Sequence, residues 1–264
     1  MVSCPGQIIR DRVGGASVST IIDVQNVSKS FGGVTANRNI SLSVKKGAIT
    51  GLIGPNGSGK TTLFNSIVGY HPIDAGKIQF EGREISKLPV QEIARLGLLR
   101  TFQQTRIYAQ MHGLDNMLIS LPHRKMRFSD AFGRNGAAEY ERAEALLEFV
   151  GLYEKRFLRA GSLSFGQQKL LEFAMALMNE PTGLLLDEPT AGINPTLING
   201  LIDRLQRANA EFGITLFVIE HNMRVIMNMA DQIYCLAHGE LLAQGSPDDI
   251  QKDQRVIDAY LGAH

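Results

Sequence analysis

The sequence predicts an α/β protein, and three observations carry that prediction. An apolar segment runs straight into a glycine-rich turn and an amphipathic helix around residue 60. Short, wholly apolar segments alternate with helical ones after Ser164, and a mainly helical stretch lies between these two regions. Strands that are apolar throughout and alternate with helices imply a sheet covered on both faces.

The segment from Met1 to Thr20 carries Arg10, Asp11, Arg12 and Gly14-Gly15 where a signal peptide needs an unbroken apolar run, so residues 1–20 are expected to form a flexible leader. Residues 21–264 are expected to form one domain. It begins with short β segments at Ile21–Val27, Ile40–Val44 and Ala48–Ile53, separated by turn signals at Gly32-Gly33 and Lys46-Gly47. Thr61 to Val68 then places Leu63, Phe64, Ile67 and Val68 at helical spacing, and Gly69 ends the helix. From Leu88 to Ala160 the pattern turns helical, with segments at Val90–Leu96 and Ala137–Val150 around a polar stretch from His123 to Asn135. This reads as a helical subdomain, at about residues 88–180, inserted into the core. The α/β pattern resumes with a helix at Gln167–Met178, a strand at Leu184–Leu186, a helix at Pro195–Phe212 and a strand at Thr215–Ile219. Ser246-Pro247-Asp248-Asp249 then combines a cap, a first-position proline and two acids facing the helix dipole.

Composition narrows the function. With 44% hydrophobic and 20% charged residues the chain is ordinary globular material. A net charge of +1 without a basic stripe argues against a nucleic-acid partner, whose phosphates dominate affinity. Cys4 and Cys235 have neither metal-ligand nor framework spacing, which favours a reducing compartment. Nowhere do eighteen apolar residues follow one another, so a membrane role has to come through a partner.

Gly54-Pro55-Asn56-Gly57-Ser58-Gly59-Lys60-Thr61, followed by Thr62, fits the phosphate-loop pattern G-x-x-x-x-G-K-[ST]. Glycines let successive backbone N–H groups curl inward onto an anion, and the following helix adds its positive end. Lys60 is then expected to reach the β- and γ-phosphates of ATP, and the Thr61 hydroxyl to ligate Mg²⁺. Leu184-Leu185-Leu186-Asp187-Glu188 is an apolar strand ending in two acids, and in open α/β sheets such ends face the ligand crevice. Alternation along a strand sends the two acids in different directions. Asp187 suits the Mg²⁺ shell, and Glu188 suits orienting and deprotonating the attacking water.

Leu163-Ser164-Phe165-Gly166-Gln167-Gln168 completes a set of motifs that, in order and spacing from Ile21 onward, resembles the ATP-binding subunit of an ABC transporter. The resemblance implies a P-loop nucleoside triphosphatase with a RecA-like core, an N-terminal antiparallel β subdomain and the inserted helical subdomain. It also implies that Phe31 stacks on adenine, that Gln103 touches Mg²⁺ and water, and that His221 senses the γ-phosphate. Leu163, Ser164, Phe165, Gly166 and Gln167 would complete the ATP site of an opposing subunit. Without the resemblance, Ser164 reads as a helix cap, Phe31 as core and His221 as a satisfied polar group. Phe165, the Ala191 to Pro195 run, Arg100 to Gln103, Gly245-Ser246-Pro247 and Ala259 to Gly262 resemble the first ATPase of branched-chain and neutral amino-acid importers. The implied partners are transmembrane permease subunits, a second nucleotide-binding subunit and, indirectly, a solute-binding protein, at the cytoplasmic face of the membrane. The motifs alone leave open a lipid or lipopolysaccharide exporter, or a soluble ABC ATPase.

Overall fold

The computed structural model describes residues 19–101, 107–121 and 134–261. The chain opens with two long antiparallel strands, β1 (Thr20–Phe31) and β2 (Val34–Lys45), then the short buried β3 (Ile49–Ile53) and helix α1 (Lys60–Ile67). β4 (Ala75–Phe80) and β5 (Arg83–Glu84) return to the first two strands, giving an antiparallel sheet in the order β2-β1-β4-β5. α2 (Val90–Arg95) leads to β6 (Leu98–Arg100), and α3 (Gly113–Ile119) and α4 (Arg134–Phe149) follow. Then come α5 (Phe165–Leu177), β7 (Gly183–Asp187), α6 (Pro195–Phe212), β8 (Thr215–Ile219) and α7 (Met223–Met229). β9 (Gln232–Ala237), β10 (Glu240–Gly245), α8 (Pro247–Lys252) and α9 (Gln254–Leu261) close the chain. Among the described residues no helix is long and apolar enough to cross a membrane.

The second sheet has the order β10-β9-β3-β8-β7-β6, parallel except for the β10–β9 pair. Its inner strands β3, β7 and β8 are buried on both faces, and alternation divides them between two cores. Leu184, Leu186, Leu216 and Val218 face a core shared with α4, α5, α6 and α7. Leu185, Phe217 and Ile219 face a core shared with α1 and the antiparallel sheet, through Leu63, Phe64, Ile22 and Ile40. That double burial is why these strands read as unbroken apolar runs.

Several elements differ from the sequence reading. β1 continues four residues beyond Val27 because register shifts between Val24 and Val27 and between Val27 and Lys29 absorb the break in alternation, with Asn26 at φ +50°. β6 lies inside the stretch read as helical, and only three residues of it pair with β7. β4, with Gly76 and Lys77 in its first half, and the strands β9 and β10 were not anticipated.

Candidate functional site

β3 delivers the chain into the glycine loop, and the loop can close only with glycine at two places. Gly54 has φ +145° and a Cβ there would lie 2.1 Å from the Leu236 carbonyl oxygen; Gly59 has φ +98° and its Cβ would lie 2.2 Å from that of Ala36. The loop is thereby wedged between β9 and β2. Asn37 Nδ2 donates to the Gly59 carbonyl at 3.1 Å, and Gly239 N–H donates to the Ser58 carbonyl at 3.2 Å. Asn56, Gly57 and Thr61 are exposed, Pro55 and Thr62 half-buried. The Lys60 ammonium folds back over the loop, donating to the carbonyls of Gly54 at 2.7 Å and Pro55 at 2.9 Å. Burial pulls its pKa down, while the nearby Glu188 and Asp187 carboxylates push it back up.

β7 ends at Asp187, which is 2% exposed. Its Oδ2 lies 2.5 Å from Arg100 Nη2 at the end of the neighbouring β6, and Arg100 Nη1 also donates to Asn65 Oδ1 of α1. Asp187 Oδ1 is buried and has no hydrogen-bond partner among the described residues. A buried carboxylate oxygen without a protein partner is open to a water or a cation.

Glu188 leaves the strand in the left-handed region, at φ +50°. The two acids therefore diverge through a backbone turn rather than through pleat alternation alone. Its N–H donates to the Ile219 carbonyl at 2.9 Å, and its Oε1 lies 3.0 Å from Nδ1 of His221, just beyond β8. The His221 side chain is 47% exposed and that of Glu188 is 13% exposed, so the pair sits at a surface that a substrate can reach. Lys60, Asp187, Glu188 and His221 thus converge at the carboxyl ends of β3, β7 and β8, three neighbouring strands.

The remaining predicted residues sit elsewhere. Ser164 caps α5 through a reciprocal box, in which Gln167 N–H donates to Ser164 Oγ at 3.4 Å and Ser164 N–H donates to Gln167 Oε1 at 3.1 Å. Leu163 is buried, and the half-exposed Gly166 packs near Ile193 and Leu197. The Phe165 ring is exposed and lies over Gly192, whose Cβ would meet it at 3.0 Å. Phe31 ends β1 with its ring exposed, in edge contact with His71 at 5.1 Å. Gln103 lies outside the described residues.

Three neighbours of the site escaped the sequence reading in this role. Arg100 was noticed only as part of a run, yet it is the cation on Asp187. Glu220 is 1% exposed, its Oε1 accepting from Thr190 N–H at 3.0 Å and Thr190 Oγ1 at 2.6 Å, and its Oε2 from Asn222 N–H at 3.4 Å. It ties the turn after Glu188 to the turn carrying His221. Tyr260 Oη accepts from Gly54 N–H at 2.8 Å. A charged residue ending an apolar strand, as at Arg100 and Glu220, was the available signal for the first two.

Residues 37–191 match the ABC transporter family, and residues 240–264 match the family described as "Branched-chain amino acid ATP-binding cassette transporter". A probable branched-chain amino acid transport ATP-binding protein, LivG, from Archaeoglobus fulgidus is 39% identical over 92% of this chain and 96% of its own. The high-affinity branched-chain amino acid transport ATP-binding protein BraF of Pseudomonas aeruginosa is 37% identical over 92% of this chain and 98% of its own. A nucleotide-free ATP-binding cassette from an ABC transporter superposes with a TM-score of 0.82 at 32% identity, covering 92% of this chain and 99% of that one. With a glycine loop, an acid pair and a histidine gathered at adjoining strand ends, and with relatives along nearly its whole length, this chain belongs to the ABC transporter family as an ATP-hydrolysing, ATP-binding subunit.

Proposed function

We propose that this chain drives import of branched-chain or neutral amino acids across a cell membrane, as a peripheral subunit on the cytoplasmic face bound to transmembrane permease subunits. The match of residues 240–264 and the transport roles named for those relatives support that substrate class. In this reading residues 21–264 form one cassette with a helical subdomain at about 88–180, and Gln103 links the site to the permease. A solute-binding protein outside the membrane would supply the amino acid. No nucleic acid takes part.

The observation that carries the hydrolytic mechanism is the 3.0 Å contact of Glu188 with His221, next to Lys60 and Asp187. Backbone N–H groups of the loop after Pro55 hold the terminal phosphates, and Lys60 keeps the Gly54 carbonyl while turning its remaining N–H donors onto phosphate oxygens. Phe31 offers its exposed ring to adenine. Glu188 orients the attacking water and takes its proton, while His221 fixes the Glu188 carboxylate and stands near the γ-phosphate. Mg²⁺ fits the same site: the partnerless Asp187 Oδ1 and the Thr61 hydroxyl are hard oxygen donors, with Gln103 as a third in this reading. When bound, that ion neutralises charge on the phosphates.

A second nucleotide-binding subunit, identical or homologous, completes the site. One related cassette, 25% identical with a TM-score of 0.73, was solved as a dimer in a post-hydrolysis state with ADP and phosphate. Ser164 and Phe165, exposed at the start of α5, would meet the partner's ATP there. The test is Glu188→Gln in the full chain. ATP affinity should stay within about twofold while turnover falls by roughly 10²- to 10⁴-fold, the usual contribution of a general base. Near-normal turnover would remove Glu188 from the role. Leucine uptake into vesicles carrying the permease, driven by wild type and lost with Glu188→Gln, tests the substrate class.

A further inference from the structure

The run Ala259-Tyr260-Leu261, which the hydrolytic mechanism does not use, ends on the phosphate loop. α8 begins with a capping box between Ser246 and Asp249, and α9 follows it directly. Ile250 and Val256 bury themselves in the core behind the parallel sheet, at 1% and 2% exposure, and Tyr260 packs against the same core. This anchorage brings Tyr260 Oη within 2.8 Å of Gly54 N–H. Gly54 is the residue whose other polar group, the carbonyl, holds Lys60 Nζ at 2.7 Å. One residue therefore joins the C-terminal helix on its amide side to the phosphate-binding lysine on its carbonyl side.

Gly54 is packed closely against the Leu236 carbonyl, and its amide is anchored by Tyr260 rather than by a ladder bond of the sheet. At φ +145° it occupies backbone space that other residues avoid, and it has no side chain to pack. Burial pushes the Tyr260 hydroxyl up to about 12, so near neutral pH it is an uncharged phenol whose oxygen can accept from the amide.

We propose that Tyr260 is a positioning residue for ATP: by fixing Gly54 from behind, it sets where Lys60 stands relative to the β- and γ-phosphates. The C-terminal segment then tunes nucleotide affinity without touching nucleotide. The inference rests on ATP binding at the glycine loop, and the experiment separates the two.

The variant Tyr260→Phe removes one oxygen and keeps the ring's packing. ATP affinity of the purified full chain would be titrated with a fluorescent ATP analogue, alongside thermal melting without nucleotide. The expected result is an affinity about five- to tenfold weaker, as for loss of one hydrogen bond at a site that sets geometry, with kcat at saturating ATP within about twofold. A structural role alone would lower the melting temperature and leave the affinity of the folded fraction unchanged, which would overturn the proposal. The double variant with Lys60→Ala supplies a second criterion. If Tyr260 acts through Lys60, Tyr260→Phe costs little more once Lys60 is gone; full additivity would overturn it. Absence of ATP binding by the wild type would instead defeat the underlying nucleotide-site reading.

Discussion

Glu220→Gln isolates the device that holds together the turns carrying Glu188 and His221. The wild-type carboxylate is 1% exposed and accepts three donors, two from Thr190 and one from Asn222. Glutamine has one acceptor oxygen. If that oxygen keeps the Thr190 pair, the side-chain NH₂ is left facing the N–H of Asn222, donor against donor. Neutralising the acceptor weakens two charge-assisted bonds from about 2 to about 1 kcal/mol each, and the clash adds about 1 kcal/mol, for a total of about 3 kcal/mol. Urea unfolding of the apo chain should show that loss. Thr190 follows Glu188 by two residues and Asn222 adjoins His221, so relaxation here shifts the Glu188–His221 pair. A displacement of some tenths of an ångström should lower kcat by about ten- to a hundredfold. ATP affinity should change less than twofold, since neither turn belongs to the glycine loop. Unchanged stability and unchanged turnover together would refute the idea that Glu220 links the two turns; a change in affinity with constant kcat would place its effect on the loop instead.

Gly59→Ala should be among the most damaging small substitutions, because φ +98° and a Cβ 2.2 Å from the Ala36 carbonyl oxygen leave no room without moving β2. Strain and overlap together should cost at least about 3 kcal/mol, read from chemical unfolding, with ATP binding lost as the loop opens. Asp74 is held below its usual 3.8 chiefly by the hydrogen bond from the Lys29 side chain, then by that from Ser30 N–H. Its folded value lies below its unfolded one, so its contribution is present above about pH 4 and is lost as pH falls through the folded value. Asp74→Asn should therefore make stability fall less steeply between about pH 5 and pH 2 than in wild type, and parallel urea midpoints across that range would contradict the assignment.

How legible this site was depends on what kind of constraint each residue answers to. Gly54 to Thr61 could be read because the demand is local: a strand, a backbone nest and a helix start within eight consecutive positions. Asp187 and Glu188 were visible because β7 is buried on both faces, so two acids at its end stand out from Leu184-Leu185-Leu186. Ser164 was legible as a cap from its spacing to Gln167, and the reciprocal bonds are present. By contrast, Arg100 and Tyr260 act across 87 and 206 residues of sequence, on Asp187 and Gly54. No periodicity reports such a pairing. β6 was hidden for a related reason, since three residues cannot display a period and its strand character comes from β7 alongside it. β1 was truncated in the reading because its bulges break alternation while the ladders to β2 and β4 continue.

In the proposed mechanism, the order of strands is what lets these groups act on one triphosphate. β3, β8, β7 and β6 are consecutive neighbours and contribute, at their carboxyl ends, the glycine loop, His221, the acid pair and Arg100. Neighbouring strands lie about 4.8 Å apart, so the loop on β3 and the acids on β7 are separated by about 10 Å, with His221 on the strand between them. That span suits a terminal phosphate held from one side and a water approached from the other. Side chains alone could not keep such spacing, because each has its own rotamers. The sheet keeps it, and Arg100 and Glu220 pin the two acids' strand end to its neighbours on either side. Removing either pin should therefore impair hydrolysis more than binding, whereas loosening the β3 side, through Gly59 or Tyr260, should impair binding first.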